Sequence, residues 1–351
     1  MISITPWIAL PTNSATSIDF NGEKGREVRQ KYFRDICNNK KKGRSYFKNI
    51  KGKIVRINPK CHLVHHFDPY LKIGPFHIEI AQYWPLRSTF HDFFTTAEMD
   101  WMMTYSRPKL SMTRRVSGTE GNRKSVQRYG DGRTGYTVSK TVQTWFSDII
   151  YNEEEIIEQV ISDKDDPLYK ARPLKDRYNY TVVHTKMSYV SKRIEIATQL
   201  NLTTRHGSSA YQTTNYGLGG LVETHLDPWG YEQGMRLPES RKHLSMTGDY
   251  IATFMGWLQD VQAGGGTGFS VKGYEGVLKP KKGSAAFWIN LTSCHIKDSR
   301  AIHGGCPVLK GSKWIVNKWI YSWDQWKNWP CYTMAKKSID PFVGMSSFDY
   351  R

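Results

Sequence analysis

Three residues of this sequence have the types and the spacing of a metal-binding site. His225-Leu226-Asp227 places two ligands two residues apart, and at strand spacing their side chains point to the same side of a sheet. His303, much later in the chain, offers a third ligand. Two histidines and one carboxylate form a facial triad that leaves positions on Fe(II) open for a co-substrate and O2. The residue types therefore predict a non-haem iron(II) site.

A second His-x-Asp pair, His66 and Asp68, has the same spacing. It lies in a polar N-terminal segment with no glycine-rich strand before it and no clear distal partner, so we interpret it as a pair of surface residues. The surroundings of the first pair differ, because the glycine-rich run Asn215 to Gly220 leads into it and two glycines follow His303. This context favours the first pair as metal ligands.

The C-terminal half of the sequence resembles a known family. The segment from about residue 207 to 331 resembles the catalytic domain of collagen-type prolyl 4-hydroxylase α subunits, a branch of the 2-oxoglutarate- and iron-dependent dioxygenases. The matching stretches are Tyr211 to Gly220, Asp260 to Thr267, Pro280 to Gly283, Phe287 to Leu291 and Cys306 to Trp319. A weaker likeness extends back to about residue 86. The resemblance implies a double-stranded β-helix (jelly-roll) core, so we predict a mainly β protein with flanking helices, of the α+β class.

The resemblance implies roles for four residues. His225, Asp227 and His303 would hold the iron, and Lys313 would pair with the distal carboxylate of 2-oxoglutarate. A dicarboxylate bound deep in a barrel needs a cation at its far end, and strand alternation places Lys313 on one face with Trp319. A lysine that points to solvent is the alternative.

Three further residues match positions of the family's co-substrate site. Tyr216 and Thr267 match positions that hydrogen-bond 2-oxoglutarate, and Trp319 matches an aromatic residue near the metal. A buried aromatic residue in a barrel strand is as often part of the core, so both interpretations stay open. Gly219 and Gly220 are assigned to a sharp turn or a close backbone approach rather than to binding.

The reaction that the resemblance implies is hydroxylation at carbon 4 of peptidyl proline, as in a collagen-like X-Pro-Gly sequence. O2 and 2-oxoglutarate would be consumed, succinate and CO2 released, and L-ascorbate would restore over-oxidised iron. The implied partners are a proline-containing or collagen-like chain and a disulfide isomerase-like β subunit. Two alternatives stay open: a 2-oxoglutarate dioxygenase that acts on another peptide or on nucleic acid, and a non-catalytic collagen-binding module.

The five cysteines bear on the cellular compartment. Cys306 and Cys331 occupy positions that look like a disulfide of the family, Cys37 and Cys61 would form another, and Cys294 would be left over. Disulfides would place the protein in an oxidising compartment, which for this family is the lumen of the endoplasmic reticulum. Five free thiols in a cytosolic protein are the alternative. The N-terminus has no basic region that would mark a signal peptide.

The sequence departs from the family pattern at several positions. Tyr321 stands where a histidine is usual, and because a tyrosine can still donate a hydrogen bond, we expect altered 2-oxoglutarate affinity or pH dependence rather than loss of function. Val222 and Ile302 replace a common tyrosine and arginine, and Pro228-Trp229 follows the ligand Asp227. The changes at Val222 and Ile302, and an insertion near residues 163–177, would alter the substrate groove.

Composition limits the classes of partner. The 351 residues carry a formal net charge of +18, with basic clusters at residues 40–44 and 279–282. No recognised nucleic-acid module accompanies this charge, so we interpret it as a solvated basic surface and disfavour nucleic acid as a partner. No apolar run approaches the roughly 18 residues of a membrane-spanning helix.

The elements that must position the site form three predicted regions. Residues 1–85 are predicted to be an irregular basic extension, residues 86–331 the catalytic domain with its core at 207–325, and residues 332–351 a tail. Thr95 and Glu98 form a capping box for a helix that stops before Pro108. Further helices are predicted at 152–162 and near 191–200, and strands at 136–145, 210–216, 250–258, 284–291 and 314–319.

Overall fold

The structure is a computed structural model of the chain. It describes residues 23–38, 46–48, 54–56, 60–65, 69–83, 85–112, 138–148, 177–204, 206–228, 244–271, 273–292 and 294–325. The predicted helix at 152–162, the pair His66 and Asp68, and the tail at 332–351 lie outside these residues. The predicted insertion at 163–177 also lies outside them, except for its last residue, Arg177.

Most of the described elements are strands, and helices flank them. The helices are α1 (Glu23–Cys37), α2 (Pro69–Ile73), α3 (Thr96–Ser106) and α4 (Arg177–Thr198). The strands are β1 (Tyr46–Lys48), β2 (Ile54–Arg56), β3 (Lys60–Val64), β4 (Phe76–Tyr83), β5 (Leu86–His91), β6 (Ser111–Met112), β7 (Val138–Phe146), β8 (Tyr211–His225), β9 (Tyr250–Trp257), β10 (Ala263–Gly264), β11 (Thr267–Phe269), β12 (Gly276–Leu278), β13 (Ala285–Ile289), β14 (His303–Gly305), β15 (Val308–Lys310) and β16 (Lys313–Tyr321).

A twelve-stranded antiparallel sheet forms the body of the protein. Its main path runs β12-β11-β14-β8-β16-β9-β13-β5-β4-β3, while β7 pairs with β8 and β6 pairs with β7. The long strand β8 changes partners along its length, because Gln212 to Tyr216 pair with β16 and His225 pairs with β14. Gly219 has a φ of 74° within this strand, which supports the assignment of this glycine to a backbone irregularity. The predicted mainly β, α+β fold with a jelly-roll core is confirmed.

Two hydrophobic clusters pack on the sheet. The larger cluster joins α3 and α4 to β5, β9 and β13 through residues such as Met102, Ile194 and Phe254. The smaller cluster lies beside the metal-ligand candidates and includes Tyr216 and Trp288. Because strand side chains alternate between faces, β9 contributes to both clusters and separates them.

A buried polar network fixes the junction of α4 with the sheet. Lys318 Nζ lies 2.7 Å from Asp148 Oδ1, and both side chains are almost fully buried. Ser191 on α4 donates a hydrogen bond to Asp148 and is also bonded to Tyr211. The network thus neutralises the charge of Lys318, whose side chain extends from β16 toward the larger cluster.

The predicted capping box of α3 is confirmed. Thr95 Oγ1 accepts a hydrogen bond from Glu98 N at 3.2 Å, and Thr95 N donates to Glu98 Oε2 at 2.9 Å. The helix ends at Ser106 and continues as a 3-10 turn over Arg107–Lys109. The predicted helix near 191–200 and the predicted strands from 136 onward correspond to α4, β7, β8, β9, β13 and β16.

Replacing Thr95 with alanine is expected to lower the free energy of unfolding by about 0.5 to 2 kcal/mol, since the backbone N–H of Glu98 loses its acceptor. Denaturant unfolding measures the change. Thr104→Ala, at an exposed position in the last turn of α3, is the control and should be neutral or slightly stabilising, because alanine is the better helix former. Equal losses in both variants would contradict the capping argument.

The described part of residues 1–85 is not irregular. It contains α1, α2 and the strands β1 to β4. β4 pairs in antiparallel register with β5, so the predicted boundary between residues 85 and 86 falls inside a hairpin of the main sheet. Buried Ile78 and Ile80 alternate with polar neighbours, as a strand requires. This pattern covers a single strand, so it is a weak signal within a polar, basic segment.

The predicted disulfide pairing is wrong. Cys37, the last residue of α1, is bonded to Cys306, so neither Cys37–Cys61 nor Cys306–Cys331 forms. Cys61 is free and exposed, and Cys294, predicted to be left over, is disulfide-bonded.

The packing of α1 explains the observed pairing. Phe33 lies so close to β11 and β14 that a Cβ added at Gly268 or Gly304 would stand 2.8 Å from its ring. These glycines let the helix approach, and that approach brings the two cysteines together. Pairing therefore depends on tertiary contacts that cysteine spacing does not reveal. Among the described residues, no helix is long and apolar enough to cross a membrane.

Candidate metal centre

The structure brings the three predicted metal ligands together. His225 is the last residue of β8, His303 is the first of β14, and the two are direct partners in the antiparallel ladder. Their ring centroids are 4.6 Å apart. Asp227 follows β8 by two residues, and one ligand atom from each of the three side chains lies within 4.8 Å of the others.

Hydrogen bonds orient both imidazoles for metal binding. His225 Nδ1 lies 2.8 Å from the carbonyl oxygen of Glu223, and His303 Nδ1 lies 3.0 Å from that of Ala301. A carbonyl oxygen only accepts, so each Nδ1 donates in this bond, and each Nε2 is the ring nitrogen that is left to bind a metal. Both Nε2 atoms point toward the same oxygen, Asp227 Oδ1, at distances of 3.5 Å and 3.7 Å.

The two carboxylate oxygens of Asp227 have different partners. Oδ1 faces the imidazoles, while Oδ2 accepts a hydrogen bond from Thr253 Oγ1 at 2.5 Å. Thr253 in turn accepts from Asn290 Nδ2 at 2.8 Å. The chain Asn290, Thr253, Asp227 therefore holds the carboxylate in one orientation and leaves Oδ1 for a cation.

The electrostatics of the centre favour the metal-binding protonation states. Burial alone would raise the pKa of Asp227, but the two histidines and the Thr253 hydroxyl lower it below its usual value. Burial lowers the pKa of His303 to about 4, against the opposing charge of Asp227. At neutral pH the carboxylate is ionised and His303 is neutral, which are the forms that bind a metal.

Lys313 lies in the same interior as the centre. It is the first residue of β16, is 1% exposed, and is the ladder partner of Tyr216, whose ring centroid is 5.0 Å from its Nζ. Burial lowers the pKa of Lys313 to about 7. In the part of the chain that the structure describes, no carboxylate lies within ion-pair distance of this amine. The alternative of a solvent-facing lysine is thus excluded by its burial.

The remaining predicted contacts lie around this interior. The pKa of Tyr216 is raised by burial and by the charge of Asp227. Its ring lies near the centre, since a Cβ added at Gly305, two residues after His303, would stand 3.6 Å from it. Thr267 is the ladder partner of Gly305, and its hydroxyl makes a long, weak hydrogen bond to Met255 Sδ at 3.8 Å. Trp319 is the ladder partner of Thr253, and its indole N–H is buried without a partner among the described residues. All three therefore adjoin the centre or the residues that orient it.

Tyr321 lies at the far end of β16. It is buried, and its ring stacks on Tyr250 at a centroid distance of 5.5 Å. The expected effect of this residue on co-substrate affinity or pH dependence stays a prediction.

Several residues of the centre escaped the sequence analysis. Thr253 carries no motif, although a threonine in the middle of the fully buried strand β9 is a usable signal, since buried hydroxyls need partners. Asn290 lies in the matching stretch Phe287 to Leu291 but was given no role there. Arg87 on β5 was also missed. Its guanidinium lies 4.0 Å from the ring centroid of Phe269, which packs against His303. Burial lowers the pKa of Arg87 to about 9.

Thr253→Val is expected to weaken metal binding by about 10- to 100-fold, because Asp227 loses the bond that orients it. Titration of the metal-free protein with Fe(II) or Co(II) measures the affinity. Thr213→Val is a matched control, since Thr213 is equally buried and its hydroxyl has no partner among the described residues. Similar losses in both variants would show that the bond to Asp227 is irrelevant.

Comparison with known proteins agrees with this geometry. Residues 211–321 match the model of the 2OG-Fe(II) oxygenase superfamily. Prolyl 4-hydroxylase subunit alpha-1 of Homo sapiens is 38% identical over 145 residues, which are 41% of this chain and 25% of that protein. Prolyl 4-hydroxylase subunit alpha-2 of Caenorhabditis elegans is 30% identical over 303 residues, which are 84% of this chain and 46% of that protein. The chain thus spans between a quarter and about half of the length of these two relatives.

A solved structure is also similar. The viral collagen prolyl hydroxylase of Paramecium Bursaria Chlorella virus-1, in its 2OG complex, aligns with 67% of this chain and 95% of its own. The sequence identity is 17% and the TM-score is 0.37.

Proposed function

Since residues 211–321 form a 2OG-Fe(II) oxygenase domain in a chain homologous to prolyl 4-hydroxylase alpha subunits, we propose that this protein hydroxylates peptidyl proline at carbon 4. The co-substrates are O2 and 2-oxoglutarate. One oxygen atom enters the proline and the other enters succinate, with release of CO2. The proposed peptide is collagen-like, with proline before glycine.

The observation that carries the proposal is a contrast between two buried lysines on one strand. Lys318 is neutralised by Asp148 at 2.7 Å, whereas Lys313, five residues earlier, faces the metal-ligand interior with no carboxylate partner in the described chain. A buried cation without a counter-charge is costly. A ligand carboxylate would supply the missing charge, and 2-oxoglutarate carries one at the end that does not chelate a metal.

Each residue has a distinct part in this proposal. His225, Asp227 and His303 hold the iron, and Thr253 keeps Asp227 Oδ2 away from it. Bound iron(II) supplies the activation of O2. Lys313 pairs with the distal carboxylate, and the hydroxyls of Tyr216 and Thr267 donate hydrogen bonds to the co-substrate. Trp319 shields the side of the centre beside Thr253.

The further partners belong to the same proposal. We assign L-ascorbate the role of restoring over-oxidised iron and place the protein in the lumen of the endoplasmic reticulum. The Cys37–Cys306 disulfide supports an oxidising compartment. A disulfide isomerase-like β subunit is the proposed protein partner, on the basis of the homology to alpha subunits alone.

Succinate release tests the proposed reaction. Purified protein is supplied with Fe(II), ascorbate and 2-oxoglutarate, with and without a (Pro-Pro-Gly)-repeat peptide, and hydroxyproline is measured in the peptide. Peptide-stimulated succinate release with matching hydroxyproline is the expected result. Succinate release that the peptide does not stimulate would keep the dioxygenase and reject this substrate. Iron binding without any succinate release would favour a non-catalytic binding module.

A further inference from the structure

A second group of metal-ligating side chains lies on strands β3, β4 and β5. Cys61, Glu79 and His91 each offer one ligand atom, and these atoms lie within 4.8 Å of one another. Strand register explains the cluster. Cys61 on β3 is the ladder partner of Glu79 on β4. On its other side Glu79 pairs with Thr89 on β5, and His91 is two residues after Thr89. All three side chains therefore share one face of the sheet, opposite the buried face of β4.

This cluster is separate from the proposed iron centre. In the sheet order, β5 is divided from β8, which carries His225, by β13, β9 and β16. Cys61 is exposed, and Glu79 and His91 are partly exposed. The iron-centre ligands, by contrast, lie in the interior beside the smaller hydrophobic cluster. A metal bound at Cys61 would thus be independent of the reaction proposed above.

The cluster adds a thiol to an ordinary cross-strand hydrogen bond. His91 Nε2 lies 3.0 Å from Glu79 Oε2, and a hydrogen bond alone would explain that distance. It does not explain a thiol within reach of both groups. Cys61 is also a free thiol in a chain where Cys37, Cys294 and Cys306 are disulfide-bonded. His77, the ladder partner of His91, adds a further imidazole to the same face.

We propose that Cys61, Glu79 and His91 bind a zinc ion. Thiolate, imidazole and carboxylate are the ligand types that zinc takes in proteins, and a thiolate favours zinc over Fe(II). The Cys61 thiol gives up its proton to solvent when the metal binds. Water or His77 takes the fourth position. The ligand set thus differs from that of the iron centre, which has no thiolate.

The position of the cluster gives the ion a structural role. β3 is the last strand on its side of the described sheet, so its outer backbone groups have no strand partner there. Edge strands of this kind are paired to the sheet on one side only. A zinc ion at Cys61, Glu79 and His91 cross-links the edge strand to the next two strands. Metal binding and the stability of this edge are therefore coupled.

Cobalt substitution tests the site directly. Untagged, metal-free wild-type protein is titrated with Co(II), and Cys61→Ser is titrated in parallel. A Co(II)–thiolate charge-transfer band in the near ultraviolet is expected in the wild type and absent in Cys61→Ser, and Zn(II) should remove it. Leu63→Ser is the matched control, because Leu63 lies on the same exposed face of β3 but is no ligand. It should keep the band.

Bound-metal counts and thermal unfolding complete the test. Wild type should bind two metal ions per chain and Cys61→Ser one. In a His303→Ala background the iron centre is disabled, but the protein should still show the Co(II)–thiolate band. Zn(II) should raise its melting temperature, and adding Cys61→Ser should remove this shift. A band that survives Cys61→Ser, or no thiolate band in the wild type, overturns the proposal. Failure of the proline hydroxylation would leave these readouts unchanged.

Discussion

The His303→Ala protein is expected to have no measurable succinate release and to bind Fe(II) far more weakly than the wild type. The substitution removes one of three ligand atoms that lie within 4.8 Å of one another. The loss should exceed the roughly 10- to 100-fold expected when a group that only orients a ligand is removed. Iron titration and the succinate assay measure the two effects separately.

Loss of packing is the competing explanation for an inactive His303→Ala protein. The imidazole packs against the rings of Trp288 and Phe269, at centroid distances of 4.7 Å and 5.6 Å, so alanine also leaves a cavity. Asp227→Asn separates loss of the metal from loss of packing, because it keeps the side-chain volume and removes only the charge. Both variants should lose iron. His206→Ala, a histidine outside the centre, should keep full affinity, and an active Asp227→Asn protein would contradict the assigned ligands.

Local geometry alone predicts part of the candidate centre. His225 and Asp227 are two residues apart at the end of a strand, so alternation alone puts them on one side. His303, the ladder partner of His225, was offered as the third ligand by its residue type and by the two glycines that follow it. Those glycines have a packing reason, since a Cβ at Gly304 would also lie 2.8 Å from the carbonyl oxygen of Val222.

The sequence was not sufficient where distant strands meet. The bond from Thr253 to Asp227 and the stacking of Arg87 on Phe269 join β9 and β5 to the centre, and no local pattern encodes such contacts. The same limit explains the wrong disulfide. Cys37 reaches Cys306 only because α1 packs on β11 and β14. Spacing along the chain is informative within one strand or helix and uninformative between them.

Replacing Lys313 with methionine is expected to weaken 2-oxoglutarate binding by about 2 to 5 kcal/mol, which corresponds to about 30- to 4000-fold. The variant keeps most of the side-chain length but removes the charge that pairs with the distal carboxylate. Iron affinity should be unchanged, because Lys313 is no ligand. The KM for 2-oxoglutarate and direct titration of the iron-loaded protein measure the effect.

Stability distinguishes a ligand-binding lysine from a structural one. Without 2-oxoglutarate, Lys313→Met should not lower the free energy of unfolding, since an unpaired buried amine is replaced by an apolar group. Lys318→Met is the matched control on the same strand. It leaves Asp148 buried without its cation and should destabilise the fold by about 3 to 5 kcal/mol. Equal destabilisation in both variants would make Lys313 a structural residue.

The pH dependence of 2-oxoglutarate binding follows from the same burial. The pKa of Lys313 is lowered to about 7 in the co-substrate-free protein, and only the protonated amine attracts a carboxylate. Binding therefore takes up a proton above this pH, and affinity should fall by about tenfold for each further pH unit. Lys313→Arg, whose guanidinium stays charged, should remove this dependence. Unchanged wild-type affinity between pH 7 and about pH 9 would mean that the amine is already paired with a carboxylate before 2-oxoglutarate arrives.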